Sequence, residues 1–236
     1  MAKGGGGGGT DGWGQYFGQY ITRPVVNNAV GGTSARSFTN LGLFNTLIGQ
    51  VKAGDYVIIE FGHNDGTSGA VDNGNEDAVG DAYNLTQTVT ESNGSTQVIR
   101  SFNFYITNAV QSLLAKGAIP IVSSQTPDNL WSGNVISPPS RFVPYAKEVA
   151  GNTSTVYVDH YDYVARAFQA LGESTVNTFY PMDHLHTSPA GANVVAEAFV
   201  RGLLCSNSAL KNFVNSAGKA VPSTLVLFHL SLKPRG

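Results

Sequence analysis

The stretch "DYVIIEFGHND", Asp55–Asp65, sets the fold. Val57, Ile58 and Ile59 form an unbroken apolar, β-branched run, too short for a helix, that ends at Gly62 in a cluster of polar side chains. Such a run suits a strand buried on both faces, where neither side of the pleat meets water. Three more stretches have this character: "PVVNNAV" (Pro24–Val30), "IPIVSSQT" (Ile119–Thr126) and "TVYVDH" (Thr155–His160). The segments between them have helical spacing. Phe102, Ile106, Val110 and Leu114 recur every four residues before Gly117, a helix stop, and Val195, Phe199 and Leu203 repeat the pattern near the end. Strands alternating with helices predict an α/β fold, a parallel sheet with helices on both faces. Ligands of such sheets bind beyond the carboxyl ends of the strands, which here read "NNAVGGTSARS", "EFGHNDG" and "SSQTPDN".

A chain of 236 residues suits one large domain and needs no metal or disulfide to complete a core. A net charge of -2 and the lack of any Lys/Arg run exclude an electrostatic nucleic-acid binder, and no apolar stretch is long enough for a membrane helix. The single cysteine, Cys205, allows no internal disulfide and by itself points to a reducing compartment. Three Asn-x-Ser/Thr sequons, at Asn84, Asn93 and Asn152, point the other way. "MAKGGGGGGTDGWG" has no apolar core and is not a signal peptide.

"YPMDHLHTSPAG", Tyr180–Gly191, carries the first candidate chemistry. Ser188 and Pro189 are a helix start, so Asp183 and His186 fall in the turn before the last long helix. At this spacing the carboxylate can accept from one imidazole nitrogen and leave the other free as a base. A plain loop salt bridge is the alternative, and a metal site from Asp183, His184 and His186 has no other support in the sequence. In "GHND", Asn64 can aim its amide at an oxyanion or simply make a turn. In "VGGTSARS", Gly32 can bring its backbone N–H close to a ligand. Arg36 is expected at the surface, where it could meet an anionic sugar. The Gly-, Asn- and acid-rich segment Asp65–Ser95 is expected to be a long loop. Its block "DNGNE" (Asp72–Glu76) is expected to be solvated, since it is not a full calcium loop.

Taken in order, a Gly after one strand, Gly-x-Asn-Asp after the next and Asp-x-x-His before the last helix resemble the SGNH (GDSL-type) hydrolases. The strings "GWGQYF", "NNAVGGTSARSFT", "GDYVIIEFGHNDG", "SSQTPDN", "YVDHYDYV" and "DHLHTSPAGANVVAEAF" resemble the fungal rhamnogalacturonan acetylesterases over roughly residues 1–215. The resemblance implies a flavodoxin-like three-layer fold and an O-acetylesterase of pectin that needs no metal or cofactor. It makes His186 the general base, Asp183 its orienting carboxylate, and Gly32 and Asn64 oxyanion donors. The implied partner is an acetylated polysaccharide, not nucleic acid or membrane, and the implied state is a secreted monomer whose signal peptide is not in this sequence.

The nucleophile is not found. In the family a serine sits in a Gly-Asp-Ser block at the end of the first, central strand, just before residues that resemble "MAK", where this sequence begins. There is no Gly-x-Ser-x-Gly elbow, and no pattern marks Ser34, Ser37, Ser123, Ser124 or Ser188. The six-glycine run fits the family's loop after the nucleophile. The resemblance thus predicts a hydrolase domain over 1–217 without its first strand, inactive and poorly stable as it stands, followed by an aberrant or disordered tail over 218–236. Cys205 resembles one half of a family disulfide. The alternatives are an SGNH esterase or lipase with another substrate, and a non-catalytic carbohydrate-binding relative or fragment.

Overall fold

The computed structural model describes residues 1–66 and 69–222. In chain order its longer elements are α1 (Ala35–Asn40), α2 (Leu43–Gln50), β1 (Tyr56–Glu60), β2 (Thr86–Thr90), β3 (Thr96–Arg100), α3 (Phe102–Ala115) and β4 (Ile119–Ser123). There follow β5 (Trp131–Ser132), β6 (Val135–Ile136), α4 (Phe142–Asn152), β7 (Val156–Val158), α5 (His160–Leu171), α6 (Glu173–Asn177), α7 (Pro189–Cys205) and α8 (Ser216–Ala220). They divide between two units. One comprises Gly32–Gln125 and Pro139–Asp159; the other comprises Met1–Gly31, Thr126–Pro138 and the chain from His160 on.

The first unit holds a parallel sheet in the order β1-β4-β7, with Ile59 opposite Val122 and Val122 opposite Tyr157. Alternation sends Val57, Ile59 and Val122 into one core with Phe38 and Phe44, while Ile121 and Val158 on the opposite face are also buried. This is why the sequence shows unbroken apolar runs here instead of alternation. Helix α3 is capped by Ser101 and stops at Gly117, whose φ of 77° suits a residue without a side chain. Its stripe packs against α4 through Phe102 and Phe142, with ring centroids 5.4 Å apart. The last position of the expected stripe differs: Leu113 is buried and Leu114 is exposed. At 100° per residue a four-residue spacing drifts, and over three turns the next residue takes the inner place.

Two expectations fail. Pro24–Val30 forms no strand, and Val26 is 76 % exposed. A β-branched run becomes a strand only against a ladder partner, and no ladder reaches this one among the described residues. Asp65–Ser95 is not a plain loop, because β2 pairs with β3 in an antiparallel hairpin at its end.

In the second unit, α7 is the central helix. Val195, Phe199 and Leu203 are buried along it; Trp13 stacks on Phe199 at 4.6 Å, and the ring of buried His160 reaches the Val195 carbonyl at 2.9 Å. Residues 218–220, expected in the tail, complete α8, and Val221 is buried. The rest of that expected tail, 223–236, lies outside the described residues. No helix among the described residues is long and apolar enough to cross a membrane.

Candidate active site

The Asp183–His186 turn is in the second unit, at the entrance to α7. Ser188 caps that helix by accepting from the Gly191 N–H at 3.3 Å, and Pro189 takes the first helical position. The turn before it is held from three sides. Ser188 N–H donates to the Phe179 carbonyl (2.6 Å), Asn129 N–H donates to the His184 carbonyl (2.7 Å), and Thr187 exchanges two bonds with the Asp11 backbone (2.8 and 2.9 Å). Inside it, Asp183 Oδ1 accepts from the Leu185 and His186 N–H groups, both at 2.7 Å, and Oδ2 lies 2.7 Å from His186 Nδ1.

A carboxylate can only accept, so Nδ1 carries the proton and Nε2 presents its lone pair. Among the described residues nothing hydrogen-bonds to Nε2. Partial burial raises the Asp183 pKa, but the His186 backbone, the His186 ring and the Leu185 N–H outweigh it and hold the value at about 2. Asp183 is therefore ionised and fixed in orientation. The glycine run packs on the ring: a Cβ at Gly6 would stand 2.2 Å from His186 Cγ, so only glycine fits there. The sequence pattern places this run near the site but carries no sign of that contact. Asp183, His184 and His186 do not form a metal-holding group; among the described residues there is none.

Gly32 and Asn64 are in the first unit, on the loops entering α1 and leaving β1. Gly32 has φ +75°, a conformation that L side chains rarely adopt, and its exposed N–H has no partner among the described residues. Asn64 Nδ2 donates to the Thr33 carbonyl at 3.2 Å, which ties the two loops together. A residue missed by sequence reading ties them further. Asp65, fully buried, accepts from Ala35 N–H (2.7 Å) and from Gly62 N–H (2.9 Å).

Arg36 is corrected from the surface to the interior. It is 2 % exposed, and its guanidinium makes two bonds to Asp72 (2.8 and 2.7 Å), with the Glu76 carbonyl and Gln97 completing its shell. "DNGNE" is corrected with it, since Asp72 and Glu76 are buried. The cause is the long-range pairing: a buried guanidinium requires a carboxylate, and the pair desolvates as one.

The serines have other occupations. Ser34 and Ser37 form a capping box on α1, Ser123 donates to Glu60 (2.7 Å), Ser124 is buried and Ser188 caps α7. Cys205 is an exposed free thiol.

The sequence profile of GDSL-like Lipase/Acylhydrolase matches residues 1–199. The rhamnogalacturonan acetylesterase of Emericella nidulans is 47 % identical over 204 residues, covering 86 % of this chain and 82 % of the relative. The probable rhamnogalacturonan acetylesterase YesY of Bacillus subtilis is 22 % identical over 202 residues, 81 % of this chain and 82 % of that one. Among solved structures, Bacillus subtilis YxiM superposes with a TM-score of 0.66 at 24 % identity, over 83 % of this chain and half the length of YxiM. The match over most of its length makes the chain a member of the GDSL-like lipase/acylhydrolase family of ester hydrolases.

Proposed function

We propose that this chain belongs to a carbohydrate O-acetylesterase that removes acetyl groups from rhamnogalacturonan through a Ser-His-Asp acyl-enzyme, with the serine on a segment that precedes Met1. The Asp183–His186 pair carries the proposal: a carboxylate locked by three donors holds an imidazole whose Nε2 is free. The substrate class follows from the 47 % identity to the Emericella nidulans enzyme.

Chemically, His186 Nε2 takes the proton of the serine hydroxyl as its oxygen attacks the acetyl carbonyl. The Gly32 N–H and Asn64 amide stabilise the oxyanion. The bond to the sugar oxygen breaks as the imidazolium returns its proton there, and a water activated by His186 then releases acetate. No metal or cofactor enters these steps, and one chain suffices. Among the described residues no hydroxyl reaches Nε2, so the serine of the scheme is not one of those the structure describes at His186. We also propose secretion with N-linked glycans at Asn84, Asn93 and Asn152, all exposed; an endoglycosidase shift in gel mobility tests it.

The transcript upstream of the Met1 codon tests the whole scheme. An in-frame segment carrying a serine after a strand-like run, followed by acetate release from acetylated rhamnogalacturonan that is lost in His186→Ala, is the expected result. A stop codon there, or equal rates with His186→Ala, would overturn it and favour the non-catalytic binder.

A further inference from the structure

The segment Thr126–Pro138, "TPDNLWSGNVISP", lies in the second unit with the Asp183–His186 turn and takes no part in the scheme above. In it β5 and β6 form a short hairpin, with Trp131 opposite Ile136 and Ser132 opposite Val135. The base of the hairpin is anchored. Ile136 is buried, its N–H donates to Gln169 Oε1 on α5 at 3.1 Å, and the Tyr161 hydroxyl donates to the Ser137 carbonyl. Asn129 joins the hairpin to the candidate active site. Its N–H holds the His184 carbonyl at 2.7 Å, its Nδ2 donates to Asn177 Oδ1 at 2.8 Å, and its Oδ1 accepts from the Trp131 indole N–H at 2.7 Å. The indole is thus fixed by its polar edge and its N–H is satisfied, yet the residue is only half-buried. Leu130 and Met182, each within two residues of the Asn129–His184 bond, are exposed as well. Ser132, Asn134, Asn177 and His184 supply exposed polar groups around them. Exposed apolar surface with a polar rim marks a binding surface.

We propose that Trp131 is a stacking platform for a neutral sugar of the polysaccharide chain, next to the residue that is deacetylated. The proposal rests on the esterase reading above and names a subsite for its substrate. The face of an indole is electron-rich, and the C–H bonds on the flat face of a pyranose carry partial positive charge, so the two attract as an aromatic edge attracts a face. A ring already pinned by Asn129 loses little freedom when a sugar settles on it. Charge selects which sugar. Thr126–Pro138 and Gly172–Gly191 carry Asp128, Glu173 and Asp183 but no Lys or Arg. A galacturonate carboxylate placed here would meet like charge and no fixed cation. Rhamnose is neutral and offers a methyl group and an apolar face instead.

The test uses tryptophan fluorescence. The chain has two tryptophans, and Trp13 is 4 % exposed and stacked on Phe199, so quenching by acrylamide in solution reports Trp131. The probe is a deacetylated rhamnogalacturonan oligosaccharide, which binds without turnover. It should shield Trp131 from acrylamide, and an oligogalacturonate of equal length should not. Undiminished quenching at the highest soluble oligosaccharide concentration would overturn the platform, and equal shielding by both probes would overturn the neutral-sugar assignment. By calorimetry Trp131→Ala should weaken the rhamnogalacturonan oligosaccharide about tenfold, while Trp131→Phe, which keeps a ring, should lose less. Should Trp131→Ala fail to fold, the wild-type quenching experiment decides alone. In the chain extended through the proposed serine, Trp131→Ala should raise KM for acetylated rhamnogalacturonan about tenfold with kcat held. A fall in kcat at constant KM would mean that the hairpin only braces the catalytic turn, and would overturn the platform. Shielding needs no turnover, so loss of His186-dependent hydrolysis would sink the esterase scheme and leave the shielding standing. Absent shielding with hydrolysis intact would sink the platform alone.

Discussion

Asp183 sits at the surface with three hydrogen-bond donors around it, while Asp77 sits in the interior with none among the described residues, next to buried Asp65. The same side chain is driven to opposite protonation states, Asp183 down to about 2 and Asp77 upward. Donors decide the first case and desolvation the second. An ionised carboxylate can orient an imidazole and stabilise its cation. Asp183→Asn should therefore give the largest effect. In a chain extended through the proposed serine, it leaves the turn's backbone bonds possible but favours the wrong imidazole tautomer. Esterase turnover should fall by about 10⁴-fold with KM little changed. A loss below tenfold would mean that Asp183 only shapes the turn.

The interior cluster should respond in stability. Arg36→Ala leaves Asp72 buried and unpaired, and should lower the unfolding free energy by about 3–5 kcal/mol in urea titration. Replacing both partners with apolar residues of similar size should recover most of it, because the penalty comes from the orphaned charge. A single-variant loss below about 1 kcal/mol would place the pair among exposed ion pairs, which contribute little.

This contrast explains what the sequence revealed. Asp183 and His186 are three residues apart beside a helix cap, so their pairing is written in local spacing. The strands β1, β4 and β7 were legible for a related reason: burial on both faces leaves an unbroken apolar run. Arg36 and Asp72 are 36 positions apart, and nothing in "SAR" or "DNGNE" announces that they meet. Charged residues are read as exposed by default, and only the partner overturns that. Pro24–Val30 fails for the same reason in reverse, since its pattern is a strand's and no ladder reaches it among the described residues. Asp65 stood inside a recognised motif, yet its work depends on Ala35, thirty residues away.

Gly6→Ala tests the surface pair without touching its chemistry. The new methyl would overlap the His186 ring, so the ring or the glycine loop must shift. Misplacing a base by about 1 Å costs about 10²-fold in rate, and the expected signature is a fall in kcat with a nearly unchanged melting temperature. An unchanged kcat would show that the loop yields and the ring does not.

The smallest effect should separate the two carboxylates most cleanly. A depressed pKa stabilises the folded chain above the unfolded aspartate value of about 3.9 and loses that contribution as the pH falls toward 2. Asp183→Asn should therefore change the melting temperature's pH dependence only on the acid side. The change should be slight, because both partners are more than a third exposed and solvent screens the pair. Asp77→Asn should change it only above about pH 4, in the opposite sense. A single variant that altered both limbs would mean that the two sites titrate as one coupled system, and the division between surface donors and interior desolvation would no longer hold.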